Sequence, residues 1–264
     1  MKILFLTNLN NGSSQEDLLL VESLKDYFEI TISHPLECER HLESVSGIII
    51  RNIWPTYEYA KEWGHIKQKI EESGLPTYNS FNGKGDIHGK DYLVELFEKG
   101  YLVIPTVDNL ENLHLLGNTE YFWIKPKEGC DGSGSGKYTK GEIKNIDLTD
   151  YVIQPYVEFV SEPSFFFVDN AFSHAIATPN RLVDKKIQVY KPTEEDLSFA
   201  QKFVEWNTLD HGIQRIDAVR TKEGELLLTE VEDLCPYLYI DDVGPETGKM
   251  FEEKIRISLL KVFY

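Results

Sequence analysis

The chain has 264 residues, 41% of them hydrophobic, which is enough to bury a sizeable core. Its formal net charge of −17 argues against nucleic acid or an anionic membrane as partner, because both are bound by basic patches. Three widely spaced cysteines (Cys38, Cys130 and Cys235) have no metal-type spacing and favour a reducing compartment. With neither a signal peptide nor a long apolar run, the chain is expected to be cytoplasmic.

The first third of the sequence alternates apolar strands with helices. Residues 3–6 and 48–50 are short apolar runs typical of buried strands. An apolar residue at every fourth position over residues 20–28 predicts the buried face of a helix, and residues 58–72 predict a polar helix. This alternation predicts a small parallel α/β unit.

The pattern changes after a glycine-containing segment, residues 79–90, which predicts a loop. A short helix is predicted after it, at residues 91–98, and from Tyr121 onward the pattern is mostly β. The further predicted elements are strands at 121–124, 151–155, 164–168 and 172–177, a helix after the capping box Thr193-x-x-Asp196, a hairpin over 213–232 and a last helix from about Pro245.

Charged residues recur at every second position on both strands of the predicted hairpin. Strand periodicity places Arg215 and Asp217 on one face of the first strand. It places Glu230 and Glu232 on one face of the return strand, together with leucines such as Leu228. If a short loop joins the strands, Asp217 lies near Glu230, although periodicity alone leaves the register open.

Three carboxylates beside one arginine repel each other unless a cation lies between them. A hard divalent cation prefers oxygen ligands, and a Mg²⁺ ion that keeps its waters and binds phosphates suits Asp217, Glu230 and Glu232. The alternative is a solvated hairpin face with ordinary surface acids.

A glycine-rich segment follows the strand that ends at Lys125. Alternating glycines over residues 129–137 are typical of a flexible flap whose N–H groups approach phosphate oxygens. The segment fails the P-loop pattern, because Asp131 stands five residues before Gly136 and Tyr138 stands where Ser or Thr is required. A plain flexible loop is the alternative.

Two further stretches carry weaker signals. The strand at 151–155 runs into backbone that can meet an adenine edge, with Glu162 near the ribose, although most such stretches are simple strand-to-loop transitions. Ser173 and His174 are strand neighbours that point to opposite faces, which favours a structural or substrate-lining histidine over a catalytic dyad. A basic cluster that lines an anionic pocket or forms a solvated loop comprises Arg181, Lys185, Lys186 and Lys191.

Taken in order, these motifs resemble the ATP-grasp superfamily, in particular its carboxylate–amine ligases such as glutathione synthetase, D-alanine–D-alanine ligase and RimK-like enzymes. The resemblance implies an α/β fold that is α+β in the ATP-binding part. An N-terminal Rossmann-like domain (1–86) would precede two lobes that clasp the nucleotide (87–157 and 158–264). The motifs are Gly89-Lys90-Asp91, Ile104-Pro105-Thr106, Ile124-Lys125-Pro126, the glycine flap, Gln154-Pro155-Tyr156-Val157, Arg215-x-Asp217 and Glu230-x-Glu232 before Pro236.

The resemblance also implies a role for each matching residue. In the nucleotide site, Lys90 and Lys125 would hold the phosphates. The remaining nucleotide contacts would come from the flap residues Gly132, Ser133 and Gly134, from Gln154, Tyr156 and Val157 around adenine, and from Glu162 at the ribose. The metal ligands would be Asp217, Glu230 and Glu232, and Arg215 would stabilise the transferring phosphoryl group.

The implied reaction activates a carboxylate as an acyl phosphate with ATP and joins it to an amine, releasing ADP and phosphate. The implied cofactors are ATP and one or two Mg²⁺ ions, with Mn²⁺ as a substitute, and the substrates are small molecules, amino acids or peptides. A homodimer, an ATP-grasp kinase and a non-catalytic nucleotide-binding regulator are left open. Two positions depart from the family pattern, which often has Glu at Gln154 and Asn at Glu232.

Overall fold

The N-terminal part of the chain forms a parallel sheet with helices against it. The computed structural model describes residues 1–10, 14–129, 132–179 and 186–264. The N-terminal elements are β1 (Lys2–Leu6), α1 (Ser14–Leu24), β2 (Glu29–Ser33), β3 (Gly47–Ile50), α2 (Ala60–Ser73) and β4 (Thr77–Tyr78). The strands lie in the order β2-β1-β3-β4 and pair in parallel, as the alternation of strands and helices predicts.

The apolar pattern of the first helix extends beyond the helix itself. Leu20, Leu24 and Phe28 are all buried, but α1 ends at Leu24 and Phe28 lies after a turn. The Phe28 amide still donates to the Leu24 carbonyl at 3.1 Å, which keeps the two side chains on one side. The predicted buried face is therefore confirmed, and the predicted helix is too long by one turn.

The glycine-containing segment after β4 is irregular, as predicted, and packs tightly against the later hairpin. A β-carbon on Gly85 would lie 2.4 Å from the Val231 carbonyl oxygen, and one on Gly83 would lie 2.2 Å from the Asp233 carboxylate. Only glycine allows this close approach. The segment leads into helix α3 (Tyr92–Glu98).

The remaining strands of the described residues form two antiparallel sheets. A three-stranded sheet contains β5 (Tyr121–Pro126), β6 (Gly136–Thr139) and β7 (Tyr151–Pro155), in the order β6-β5-β7. A five-stranded sheet has the order β10-β9-β8-β11-β12. The elements of this second part are β8 (Phe159–Val168), β9 (Ala171–Thr178), β10 (Gln188–Tyr190), α4 (Glu194–Asn207), β11 (Ile213–Thr221), β12 (Leu226–Glu232) and α5 (Pro245–Phe263).

Helices cover both faces of the five-stranded sheet. On one face, Phe166 and Ile213 pack with Phe251 of α5 and with apolar residues of the N-terminal sheet. On the other, α3 and α4 pack on a separate apolar cluster. The capping box at Thr193 and Asp196 begins α4 as predicted. The domain bounds after residues 86 and 157 stay a prediction.

No helix within the described ranges is long and apolar enough to cross a membrane.

Candidate active site

The register of the C-terminal hairpin brings its charged residues together. Asp217 of β11 pairs with Glu230 of β12, and Arg215 pairs with Glu232. Paired residues of an antiparallel ladder point to the same face, so the four side chains form a compact charged group. The predicted neighbourhood of Asp217 and Glu230 is confirmed.

The prediction that the leucines of the return strand share a face with Glu230 and Glu232 is wrong. Asp217 pairs with Glu230, but Ala218 pairs with Leu228, so Thr229 is an extra residue that forms a β-bulge. The bulge shifts the alternation, and Leu228 joins the apolar cluster under α3 and α4. The leucines therefore lie on the opposite face from the carboxylates, and the charged group does not continue an apolar stripe of β12.

Arg215 is the centre of this charged group. Its Nε donates to both oxygens of Asp217 at 2.9 and 3.1 Å, and its Nη2 contacts Asp217 and Glu232. Its Nη1 donates to the Tyr237 carbonyl at 3.1 Å. The guanidinium carbon lies 5.7 Å from the centroid of the Tyr239 ring. This network fixes the guanidinium plane in one orientation.

Two lysines from distant parts of the chain meet Glu230. Lys125 Nζ lies 3.3 Å from Glu230 Oε1, and Lys90 Nζ lies 3.9 Å from the same oxygen. Lys90 is 4% exposed and also donates to the Gly129 carbonyl at 2.8 Å and to Asp86. The predicted phosphate lysines and a predicted metal carboxylate thus share one location.

Burial and neighbouring charges shift the pKa values of these carboxyl groups in opposite directions. Burial alone would raise the pKa of Glu230, but the Lys90 and Lys125 ammonium groups hold it below its ordinary value. Burial raises the pKa of Glu232 to about 8, with repulsion from Asp217 and Glu230 acting in the same direction against Arg215. A cation bound between Glu230 and Glu232 would favour the ionised form of both groups.

The donor chemistry of the charged group fits a hard divalent cation shared with phosphates. Within the described ranges, no three His, Cys, Asp or Glu side chains form a ready-made metal cage. A Mg²⁺ ion that binds phosphates needs only one or two carboxylates and keeps several waters. Glu230 and Glu232 have side chains 22% and 23% exposed, so their oxygens can be reached. The predicted metal ligands are brought together, and metal binding itself stays a prediction.

The residues predicted to frame adenine lie at the end of β7. Gln154 is 1% exposed, and its Nε2 donates to the Thr106 hydroxyl at 2.9 Å. Tyr156 is 36% exposed, and its amide donates to the Tyr121 carbonyl at 2.9 Å. Val157, just after Tyr156, is half-buried. The side chain of Gln154 thus serves the packing of this sheet, and contact of Tyr156 and Val157 with adenine stays a prediction.

The described part of the predicted flap forms a turn between β5 and β6. Gly132 and Gly134 have φ values of +71° and +74°, a region that favours glycine, and Ser133 between them is exposed. The Ser135 amide donates to the Gly132 carbonyl at 3.1 Å, closing the turn. Of the other residues singled out from the sequence, Cys130, Asp131, Arg181 and Lys185 lie outside the described residues.

Glu162 lies on the same face of the five-stranded sheet as Asp217, farther along the strands. It is half-buried on β8 and pairs with Thr178 of β9. His174 of β9 is buried, stacks on Phe166 at a centroid distance of 4.5 Å and lies 3.3 Å from the Ser173 hydroxyl. The histidine is therefore part of the packing beside the charged group.

Three residues of the site were not found by sequence reasoning. Asp86 lies 3.3 Å from Lys90 Nζ, and the Tyr92 hydroxyl donates to Asp86 at 2.9 Å. No helical spacing indicated the contact of Asp86 with Lys90, because both precede α3 and Gly89 between them has a φ of +79°. Lys137 lies over the rings of Tyr121 and Tyr156, 4.2 and 3.7 Å from their centroids. No pattern in the sequence indicated this contact, because it depends on the pairing of β6 with β5.

The fold is similar to that of solved ATP-grasp ligases. The chain is similar to a D-cycloserine synthetase, DcsG, with 19% identity, a TM-score of 0.77 and coverage of 97% of this chain and 100% of that one. It is also similar to a D-alanine–D-alanine ligase from Bacillus anthracis complexed with ATP, with 15% identity, a TM-score of 0.70 and coverage of 99% and 98%. The ATP-grasp ligase PsnB, complexed with a phosphomimetic variant of its minimal precursor, Mg and ADP, matches with 12% identity, a TM-score of 0.66 and coverage of 96% and 97%.

These likenesses extend over nearly the whole length of each chain, so they show that this protein has the ATP-grasp fold. In sequence, no protein-family model and no curated protein matches the chain. The ATP-grasp fold expected from the order of the motifs is confirmed, and the Rossmann-like character of the N-terminal domain stays a prediction.

Proposed function

We propose that the protein is an ATP-dependent ligase that forms ADP and joins a carboxylate to an amine. The observation that supports this most directly is the meeting of Lys90 and Lys125 with Glu230, beside the Arg215–Asp217 pair. Cations for the phosphates and carboxylates for a metal occur within one group, as phosphoryl transfer requires. The ATP-grasp fold supports the same reaction class.

In this proposal the lysines and the arginine act on the nucleotide. Lys90 and Lys125 hold phosphate oxygens of ATP, and the turn at residues 132–134 covers them with backbone N–H groups. Arg215 lies where negative charge develops as the γ-phosphoryl group moves, and its fixed orientation limits reorganisation during that step. Asp217, Glu230 and Glu232 would hold Mg²⁺, which when bound neutralises phosphate charge.

The nucleoside would lie between the two antiparallel sheets. The backbone at Tyr156 and Val157 would meet the adenine edge, next to buried Gln154, and the Glu162 carboxylate would accept hydrogen bonds from the ribose. The half-buried position of Glu162 on the functional face of the sheet supports this assignment.

The proposed reaction proceeds in two steps. A carboxylate oxygen of the substrate attacks the γ-phosphorus, the bond to the β-phosphate oxygen breaks and ADP leaves. The amine nitrogen then attacks the acyl carbon, phosphate leaves with the acyl-oxygen bond electrons and the nitrogen loses a proton. Such chemistry depends on positioning and on exclusion of water more than on a protein nucleophile.

The test is ADP release with MgATP and a panel of amino acids, small carboxylic acids and short peptides, each with and without an amine. Release that needs both an acid and an amine, with a condensed product identified by mass, supports ligation. Release with a single hydroxyl compound and a phosphorylated product would instead establish a kinase. Calorimetry with MgADP comes first, because a chain that binds no adenine nucleotide is excluded from both classes.

A further inference from the structure

A second buried arginine lies at the carboxyl ends of the N-terminal parallel strands. Arg51, just after β3, donates from Nη2 to Glu16 Oε1 at 2.8 Å and from Nε to Asp17 Oδ1 at 3.3 Å. Both acids belong to the first turn of α1. These three side chains are at most 3% exposed, so the cluster is closed to solvent.

This cluster binds the chain segment that follows the hairpin, residues 236–239. Glu16 accepts hydrogen bonds from the Leu238 amide at 2.9 Å and from the Tyr239 amide at 3.2 Å. Arg51 donates to the Pro236 carbonyl at 2.8 Å. Two side chains of the N-terminal part thus fix three backbone groups of residues 236–239, more than 180 residues away along the sequence.

The same segment holds Arg215 from the other side. The Tyr237 carbonyl accepts from Arg215 Nη1 at 3.1 Å, and the Tyr239 ring lies over the guanidinium. Tyr239 has a φ of +54°, a conformation that costs free energy in a non-glycine residue and persists only when its surroundings enforce it. The hydrogen bond from its amide to Glu16 supplies part of that constraint.

We propose that Glu16 and Arg51 are positioning residues that act through residues 236–239 to orient Arg215. The proposal rests on the role of Arg215 given under Proposed function. Stability alone does not account for this cluster, because a buried ion network is often no more stabilising than apolar side chains of the same volume. What the network adds is a charged acceptor, Glu16, and a charged donor, Arg51, which both bind the backbone that holds Arg215.

The variant Glu16→Gln tests this, because glutamine keeps the shape but loses one acceptor oxygen and the charge opposite Arg51. The probe is MgADP, titrated by calorimetry with and without aluminium fluoride, which mimics the transferring phosphoryl group. We expect ADP affinity to stay within about twofold, since Arg215 does not act on ADP itself. The gain in affinity from aluminium fluoride should fall about tenfold or more, as loss of a hydrogen bond to a charged group implies.

A double-mutant cycle separates positioning from a general loss of order. In an Arg215→Lys background, Glu16→Gln should leave the aluminium fluoride gain unchanged within about twofold, because the residue through which it acts is gone. Additive losses in the cycle would overturn the proposal. Arg51→Lys keeps the charge but loses the fork geometry that reaches both Glu16 and the Pro236 carbonyl. Arg51→Lys should show the same selective loss of the aluminium fluoride gain. This variant tests the proposal if Glu16→Gln does not fold.

Asp196→Asn is the matched control. Asp196 is 4% exposed and pairs with Arg220 at 2.7 Å, on the face of β11 opposite to Arg215. It should lower the melting temperature without changing the aluminium fluoride gain. An unchanged gain in folded Glu16→Gln, or an equal loss in Asp196→Asn, would refute the positioning role. Wild-type protein that binds no MgADP would instead refute the proposed function.

Discussion

The two buried arginines, Arg51 and Arg215, have the same kinds of partner, but the partners differ in solvent exposure. Each guanidinium pairs with two carboxylates and donates to a carbonyl of the segment after the hairpin. Around Arg51 the ionic side chains are at most 3% exposed. Around Arg215, Glu232 is 23% exposed, and neighbouring Glu230 is 22% exposed. Composition alone therefore does not distinguish a structural ion cluster from a site.

The difference lies in how many carboxylate lone pairs the protein itself uses. Both oxygens of Glu16 accept backbone N–H bonds, and one of them also accepts from Arg51. Each carboxylate has about four acceptor positions, so Glu16 has little capacity left, whereas exposed oxygens of Glu230 and Glu232 retain it. We infer that the closed cluster (Glu16, Asp17 and Arg51) organises the backbone. The open cluster (Arg215, Asp217, Glu230 and Glu232) is inferred to take a ligand.

The largest expected effect comes from neutralising the open cluster. Asp217→Asn or Glu230→Gln should lower MgATP turnover by about 100-fold or more, because a carboxylate proposed to hold the phosphate-bound Mg²⁺ loses its charge. The fold should survive, since Arg215 keeps Glu232. The measurements are the rate of ADP release and the melting temperature, with exposed Glu158→Gln as the control. Full activity in either variant would sink the metal assignment.

The second prediction compares the two arginines directly. Arg51→Met leaves two fully buried carboxylates without their cation, and the free energy of unfolding should fall by about 3–5 kcal/mol. Arg215→Met should cost less than half as much, since water can reach Glu232. Urea denaturation measures both values. Equal losses in the two variants would show that the Arg215 cluster is as closed as the other.

Local periodicity predicted the open cluster but not the closed one. Arg215 and Asp217 stand two residues apart on one strand, and the return strand follows after a short turn, so strand alternation brings the charges together. Glu16 and Arg51 are 35 residues apart and meet segment 236–239 only because the parallel sheet and the hairpin pack against each other. No short-range pattern encodes such a meeting.

The errors within the hairpin and the first helix have equally local causes. A β-bulge at Thr229 inserts one residue, and strand alternation cannot indicate where such an insertion falls. The Phe28 side chain continues a helical spacing although the backbone has already turned. The meeting of Lys90 with Glu230, residues 140 positions apart, was expected from the family resemblance alone.

A third prediction tests whether water reaches the packed side chains beside Arg215. Burial lowers the pKa of His174 to about 4, from an ordinary value of 6.5, with Lys254 adding to the shift. The unfolded chain therefore binds the proton more readily between these values, so stability is lost as pH falls from 6.5 through 4. His174→Phe keeps the stack on Phe166. It should remove about 3 kcal/mol of the unfolding free energy that wild type loses as pH falls.

The measurement is the free energy of unfolding against pH for wild type and His174→Phe, with His65→Phe as the exposed control. Carboxyl groups titrate in the same range in all three proteins, so only the difference between the curves counts. Parallel curves for wild type and His174→Phe would show that water reaches the histidine.

The smallest expected effect concerns the glycine segment that lies behind the open cluster. In Gly85→Ala the new β-carbon would meet the Val231 carbonyl at 2.4 Å, between the two glutamates of β12. Because a backbone atom cannot move aside cheaply, the free energy of unfolding should fall by about 1–3 kcal/mol. Gly64→Ala, in an exposed position of α2 with no atom within 4 Å, should instead gain about 0.5–1 kcal/mol. A Gly85→Ala variant as stable as wild type would mean that β12 yields to the segment, and the open cluster would then be less rigidly supported than the closed one.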